Sequence, residues 1–135
     1  MIGIDTNVLV RYVVQDDARQ SAMAGHFIET TLSDDEPGWI ASIVLCELVW
    51  VLESAYEYGR QPIAAMMQRL FEVDRFHLEE PSLSWRALDA YRDGVDFADA
   101  LLALGNEHHG CDYTATLDRG AAKLKQMRLL TRASG

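Results

Sequence analysis

Short apolar runs of three to five residues alternate with helix-length segments along the whole chain, and this rhythm restricts the fold more than any other feature. A strand that enters a helix of 10 to 17 residues before the next strand cannot close as a hairpin. The crossover makes successive strands parallel and covers them with helices on both faces. Residues 2–4 form the first short buried strand in this reading, followed by a helical start over 8–14 and a helix over 18–31. GWIAS at 38–42 is a second strand, and Ser42 is placed to cap a helix over 43–58 that is apolar nearly all round, ends at Gly59 and should be buried. Pro62 opens a helix to 74, FHLEE at 76–80 alternates like a strand, and Ser82 caps a helix to 92. Asp96 begins a helix that runs to 109 and stops at Gly110. Residues 112–116 are a strand, Asp118 caps a short helix, and 127–130 supply a last strand. The expectation is an α/β protein with a mainly parallel sheet, whose ligands collect beyond the carboxyl ends of the strands.

A chain of 135 residues fits one domain, 1–135, and buries roughly two thirds of the surface its unfolded form exposes. It contains no Pro/Ser-rich linker, low-complexity tract or repeat period. No basic segment followed by an apolar core opens it, and no apolar run reaches the roughly 18 residues that span a bilayer, so a cytoplasmic protein with no membrane partner is expected. Cys46 and Cys111 lie in apolar contexts without CxxC or metal-like spacing and read as buried free thiols. The net charge of −9 argues against a phosphate-backbone partner, yet five basic residues (Arg119, Lys123, Lys125, Arg128 and Arg132) and no acidic one follow residue 118.

The acids carry the chemistry. Asp5 follows the first strand, and Asp118 follows the strand at 112–116 after only Leu117, so both belong at carboxyl ends of strands. Asp96 and Asp99 are three apart and share one face of a first helical turn. Glu47 sits five residues after Ser42, too deep for a capping box, inside IVLCELVWVL, where an ionised carboxylate is costly unless paired or bound to a cation. Each acid also has a plain structural role. Asp5, Asp96 and Asp118 can cap helices, Asp99 can favour the helix dipole, and Glu47 can meet an arginine from another segment. Four acids gathered at one rim repel one another without a cation, and their hard oxygens suit Mg²⁺ or Mn²⁺. Such ions activate water for attack on phosphorus and reverse the local charge, so an acidic protein can hold a phosphodiester there.

At this point IDTNVLV, the helix acid in ASIVLCELVWVL, DFADALLA and TATLDRGAAKL, in this order, resemble the PIN-domain ribonucleases, particularly VapC-type toxins of toxin–antitoxin pairs. The resemblance covers essentially the whole chain. It implies a three-layer α/β/α sandwich around a short, mainly parallel central sheet, Mg²⁺- or Mn²⁺-dependent endonucleolytic cleavage of RNA, a homodimer, and inhibition by a cognate antitoxin. The family's acidic quartet matches Asp5, Glu47, Asp99 and Asp118, with Asp96, Thr116, Thr6 and Asn7 in supporting positions. Gly120 departs from relatives that carry a polar or acidic residue there, which favours one tightly held ion. His108 and His109 read as solvated residues at a helix end, and Met66, Met67, Leu70 and Phe71 as core or dimer surface. Two rival readings remain: a phosphatase with Asp5 as nucleophile, for which Asn7 replaces the expected second acid, and a non-catalytic partner-binding domain.

Overall fold

A computed structural model describes residues 1–132, so the last three residues of the expected 1–135 domain lie outside it. The chain divides into two compact units, one from Met1 to Pro81 and the other from Ser82 onward.

In the first unit, β1 (Ile2–Gly3) leads through Asp5 into α1 (Thr6–Val14) and α2 (Ala18–His26), which widens into a π turn at Phe27–Thr31. Then follow β2 (Gly38–Ile40), α3 (Ser42–Ser54), α4 (Arg60–Phe71) and β3 (Phe76–Leu78). The strands pair in the order β1-β2-β3, all parallel, as the helical crossovers require. In β3, Phe76 and Leu78 are buried and His77 is exposed, the alternation anticipated from FHLEE. Leu45, Leu48 and Leu52 on α3 are sealed from solvent, as are Ile63 and Met67 on α4. Leu70 and Phe71 are buried as well, so the Met66-to-Phe71 cluster is mostly core.

The middle strand needs a residue without a side chain at Gly38. A Cβ there would lie 2.9 Å from Leu32 Cδ1, 3.2 Å from Ile4 Cγ1 and 3.3 Å from Phe76 Cδ1. Three packed apolar groups already fill the space, so Gly38→Ala is expected to destabilise the protein by about 1–3 kcal/mol. A melting temperature equal to that of wild type would show that Leu32 can swing aside without cost.

Four local expectations for this unit are corrected. The helix expected over 43–58 ends at Ser54, and Ser42 is its first residue rather than its cap, a place taken by Ala41. The left-handed residue after it is Glu57, with φ 55°, whereas Gly59 has φ −73° and caps α4. The helix is also not buried all round. Ile43 and Trp50 are 68% and 67% exposed, and Glu47 lies on the same exposed stripe, because positions four and three apart share a face.

An exposed polar network ties α1 to the end of α3. Arg11 donates to Asp16 Oδ1 (2.9 Å), Gln20 Oε1 (2.6 Å) and the Tyr56 hydroxyl (3.1 Å), while that hydroxyl donates to Asp16 Oδ2 (2.8 Å). The Tyr56 bond, with Arg11 adding to it, holds the Asp16 carboxyl below its ordinary range. A depressed carboxyl adds stability above the ordinary carboxylate range and loses it as pH falls through the depressed value. Tyr56→Phe is therefore expected to flatten the acid limb of a melting-temperature profile, with little change once Asp16 is protonated in both proteins.

In the second unit, α5 (Pro81–Arg92) and α6 (Phe97–His108) precede β4 (Thr114–Thr116), a short 3₁₀ turn (Ala121–Lys123) and β5 (Met127–Leu129). β4 and β5 pair in parallel, with Ala115 opposite Arg128. Ala103 on α6 packs in a small buried cluster with Ala121 and Met127, and Asn106 Nδ2 donates to Thr114 Oγ1 at 3.0 Å. These contacts fix α6 against the β4 turn. Neither cysteine enters a disulfide among the described residues, but Cys46 is only half-buried and Cys111 is exposed, which corrects the expected burial of both. His108 and His109 are exposed at the end of α6. No helix among the described residues is long and apolar enough to cross a membrane.

Candidate functional site

The first unit offers Asp5 and Glu47. Asp5 has extended backbone (φ −81°, ψ 156°) at the entrance to α1, immediately beyond the carboxyl end of β1, and its Oδ1 accepts from Thr6 N at 2.7 Å. A normal N-cap reaches the amide of the second or third helical residue. Here the side chain reaches only the first, and Val8 N donates instead to the Asp5 carbonyl at 3.2 Å. Asp5 is therefore a poor cap whose second oxygen has no protein donor among the described residues, and capping explains its presence only in part. The Thr6 hydroxyl is buried and without a hydrogen-bond partner among the described residues. A cleft of about 670 Å³ opens beside Asp5, lined by Asn7, Val8, Arg11, Gln20 and Phe27.

Glu47 corrects the reasoning that singled it out. It is exposed, so its charge carries no burial cost that would demand a partner, because its apolar sequence neighbours point to other faces of α3. It also forms neither an ion pair nor a hydrogen bond among the described residues. The alternative in which an arginine from another segment holds it is not realised, and the carboxylate is free to bind a ligand.

The second unit brings three acids into one electrostatic neighbourhood. Asp96 caps α6 in the ordinary way, its Oδ2 accepting from Asp99 N at 3.0 Å, which fulfils the structural reading for that residue. Asp99 sits in the first turn, and its carboxyl is pushed above its ordinary range by partial burial first, then by the charges of Asp96 and Asp118. Asp118 lies just past the carboxyl end of β4. Its Oδ1 accepts from Gly120 N (2.7 Å) and Ala121 N (3.3 Å), while its own amide donates to Thr116 Oγ1 (3.0 Å). Thr116 thus fixes the turn that carries Asp118. Gly120 closes that turn, since a Cβ there would come within 3.2 Å of Asp118 Oδ1.

Among the described residues no three His, Cys, Asp or Glu side chains converge closely enough to enclose an ion as they stand. The donor set nevertheless suits a hard divalent cation: Asp99 is disfavoured in its charged form by partial burial first and then by two neighbouring acids, a penalty that a cation would relieve. Residues 2–126 match the PIN domain. The chain belongs to the PIN domain family. PIN domains are generally metal-dependent nucleases, and they have the three-layer α/β/α fold with which the six α-helices and short parallel strands agree. The match runs across the boundary between the two compact units. No curated protein matches the chain.

The resemblance put Asp96 and Thr116 in supporting positions; in the structure Asp96 accepts from Asp99 N and Thr116 Oγ1 accepts from Asp118 N. The resemblance does not anticipate the role of Gly120. A glycine two residues after an aspartate at a strand end is the signal that could have suggested a backbone amide closing on that carboxylate.

Proposed function

We propose that this PIN domain is an endoribonuclease that hydrolyses RNA phosphodiester bonds with Mg²⁺ or Mn²⁺ held by Asp5, Glu47, Asp99 and Asp118. The observation that carries the reading is the placement of Asp96 and Asp99 at the start of α6 within reach of the charge of Asp118 past β4, so that Asp99, raised by partial burial first, is raised further by an acidic cluster that is repulsive without a cation. When bound, the ion supplies charge neutralisation and an activated water for attack on phosphorus. The chain's own residues do the positioning. Asp96 holds the first turn of α6 through Asp99 N, and Thr116 with the Gly120 amide holds Asp118, whose second oxygen has no protein donor among the described residues. With one Asp118 oxygen committed to two amides and no acid at position 120, a single tightly held ion is the simpler arrangement.

Residues 1–135 are proposed to act as one cytoplasmic nuclease domain, a reading supported by a family match that spans both units. The likeness of IDTNVLV and TATLDRGAAKL to VapC-type sequences supports a further proposal, that the protein is a homodimeric toxin restrained by a cognate antitoxin. Asp5→Asn tests the site directly, because Asn keeps an oxygen for Thr6 N but not the charge. Purified variant is expected to retain the fold and lose Mn²⁺-dependent cleavage of RNA. Undiminished cleavage by Asp5→Asn would sink the proposal.

A further inference from the structure

The solvent side of the β4–β5 pair differs in character from the rest of a chain whose net charge is −9. Around β4 the side chains alternate: Thr114 and Thr116 are half-buried, while Tyr113, Ala115 and Leu117 are exposed, Tyr113 by 41% and Leu117 by 80%. Arg128 stands opposite Ala115 on β5, and its guanidinium carbon lies 3.9 Å from the centre of the Tyr113 ring. Leu130, just past β5, is 48% exposed. The connection between the strands adds Arg119, Lys123 and Lys125, all exposed. None of these four cations forms an ion pair among the described residues, and residues 111–132 contain five basic side chains against two acids, Asp112 and Asp118.

A basic surface that served only solubility would not gather an exposed tyrosine, two exposed leucines and a guanidinium over that ring at the ends of one short strand pair. An aromatic ring under an arginine guanidinium, followed in the chain by three exposed cations of the β4–β5 connection, is the chemistry that single-stranded nucleic acid meets, because every base has a π face and every linkage a negative charge. We propose that this face is a platform for single-stranded RNA, on which a base stacks against the Tyr113–Arg128 pair while Arg119, Lys123 and Lys125 take backbone phosphates. The inference rests on the ribonuclease reading and deepens it, since it names the surface by which an acidic protein holds its substrate. Arg119 follows Asp118 directly, so a strand held here passes beside a proposed metal ligand.

The experiment is fluorescence anisotropy of a labelled oligouridine RNA with the full chain, in the absence of divalent cation so that the RNA stays intact, over a KCl series. Tyr113→Leu is expected to weaken binding by roughly tenfold with an unchanged salt slope, because stacking is lost and no charge is removed. Lys123→Ala is expected to lower the slope of log affinity against log salt by about 0.7. Arg128→Lys should keep the slope yet lose affinity as Tyr113→Leu does, since an ammonium has no plane to stack. These side chains are exposed, so melting temperatures close to wild type should accompany the losses. Wild-type affinity in both Tyr113→Leu and Arg128→Lys would overturn the platform. So would binding of inorganic polyphosphate that equals that of RNA and ignores Tyr113, which would mark a site for any polyanion, an acidic polypeptide included. Tyr113-dependent RNA binding in a protein that never cleaves RNA with Mn²⁺ would defeat the ribonuclease reading alone. Metal-dependent cleavage with Tyr113-independent binding would defeat the platform alone.

Discussion

Replacing Asp99 with Asn is expected to reduce Mn²⁺-dependent RNA cleavage by at least about 100-fold while leaving the metal-free protein no less stable than wild type. The two effects have one origin. Asp99 feels partial burial and then the charges of Asp96 and Asp118, all of which favour its neutral form and raise its pKa. A raised folded-state pKa contributes stability that is fully present below the ordinary carboxylate range and is lost as pH rises through the raised value. Metal-free wild type should therefore lose melting temperature from acid towards neutral pH more steeply than Asp99→Asn, which carries no charge to penalise. Added Mn²⁺ should reverse the ranking, raising the melting temperature of wild type by mass action and leaving that of the variant unmoved. Asp118→Asn should lose the same response, but its remaining side-chain oxygen can still accept from Gly120 N and Ala121 N, so the turn should survive. A plain capping or dipole role for Asp99 predicts none of this, and Asp99→Asn that cleaves RNA at the wild-type rate would eliminate it as a ligand.

What the sequence revealed depends on whether the governing interaction is local. The strand-then-helix order was legible because crossover length dictates parallel pairing, and the β1-β2-β3 and β4-β5 pairings follow it. The Asp96–Asp99 relation was legible for the same reason: three-residue spacing puts a capping oxygen on the third helical amide, and that bond is present. The errors arise where tertiary packing decides. Nothing in SIVLCELVWVLES distinguishes a buried turn of helix from an exposed one, so the sequence puts Ile43, Glu47 and Trp50 in the interior, whereas only the face with Leu45, Leu48 and Leu52 is buried. Gly59 was the natural left-handed residue by propensity, but Glu57 takes that conformation two residues earlier and frees Gly59 to begin α4. For the site, the acids were legible as residue types at strand and helix ends. Their partners were not, because the commitment of Asp118 Oδ1 to two amides is set by the turn and not by composition.

Phe97→Ala is expected to produce the largest loss of stability of any change near these acids, about 3–5 kcal/mol. Phe97 is the first residue of α6 and fully buried, and its ring meets Tyr91 of α5 edge to face, with centroids 6.4 Å apart and planes at 80°. Truncation removes both the buried ring area and the aromatic pair, in a protein whose total margin for a chain this size is on the order of 5–15 kcal/mol. The ring stands between Asp96 and Asp99 in sequence and is buried in the turn in which one caps the other, so its packing is expected to add to the cap in holding two acids beside each other against repulsion. Phe97→Leu retains most of the apolar volume and should cost less than half as much. The two kinds of variant separate structure from ligation: Phe97→Leu should melt lower than wild type yet still gain melting temperature with Mn²⁺, whereas Asp99→Asn should melt no lower and gain nothing. If Phe97→Ala unfolds at the wild-type temperature, the ring is not the anchor of α6, and the proximity of Asp96 to Asp99 must be maintained by the helix and its cap alone.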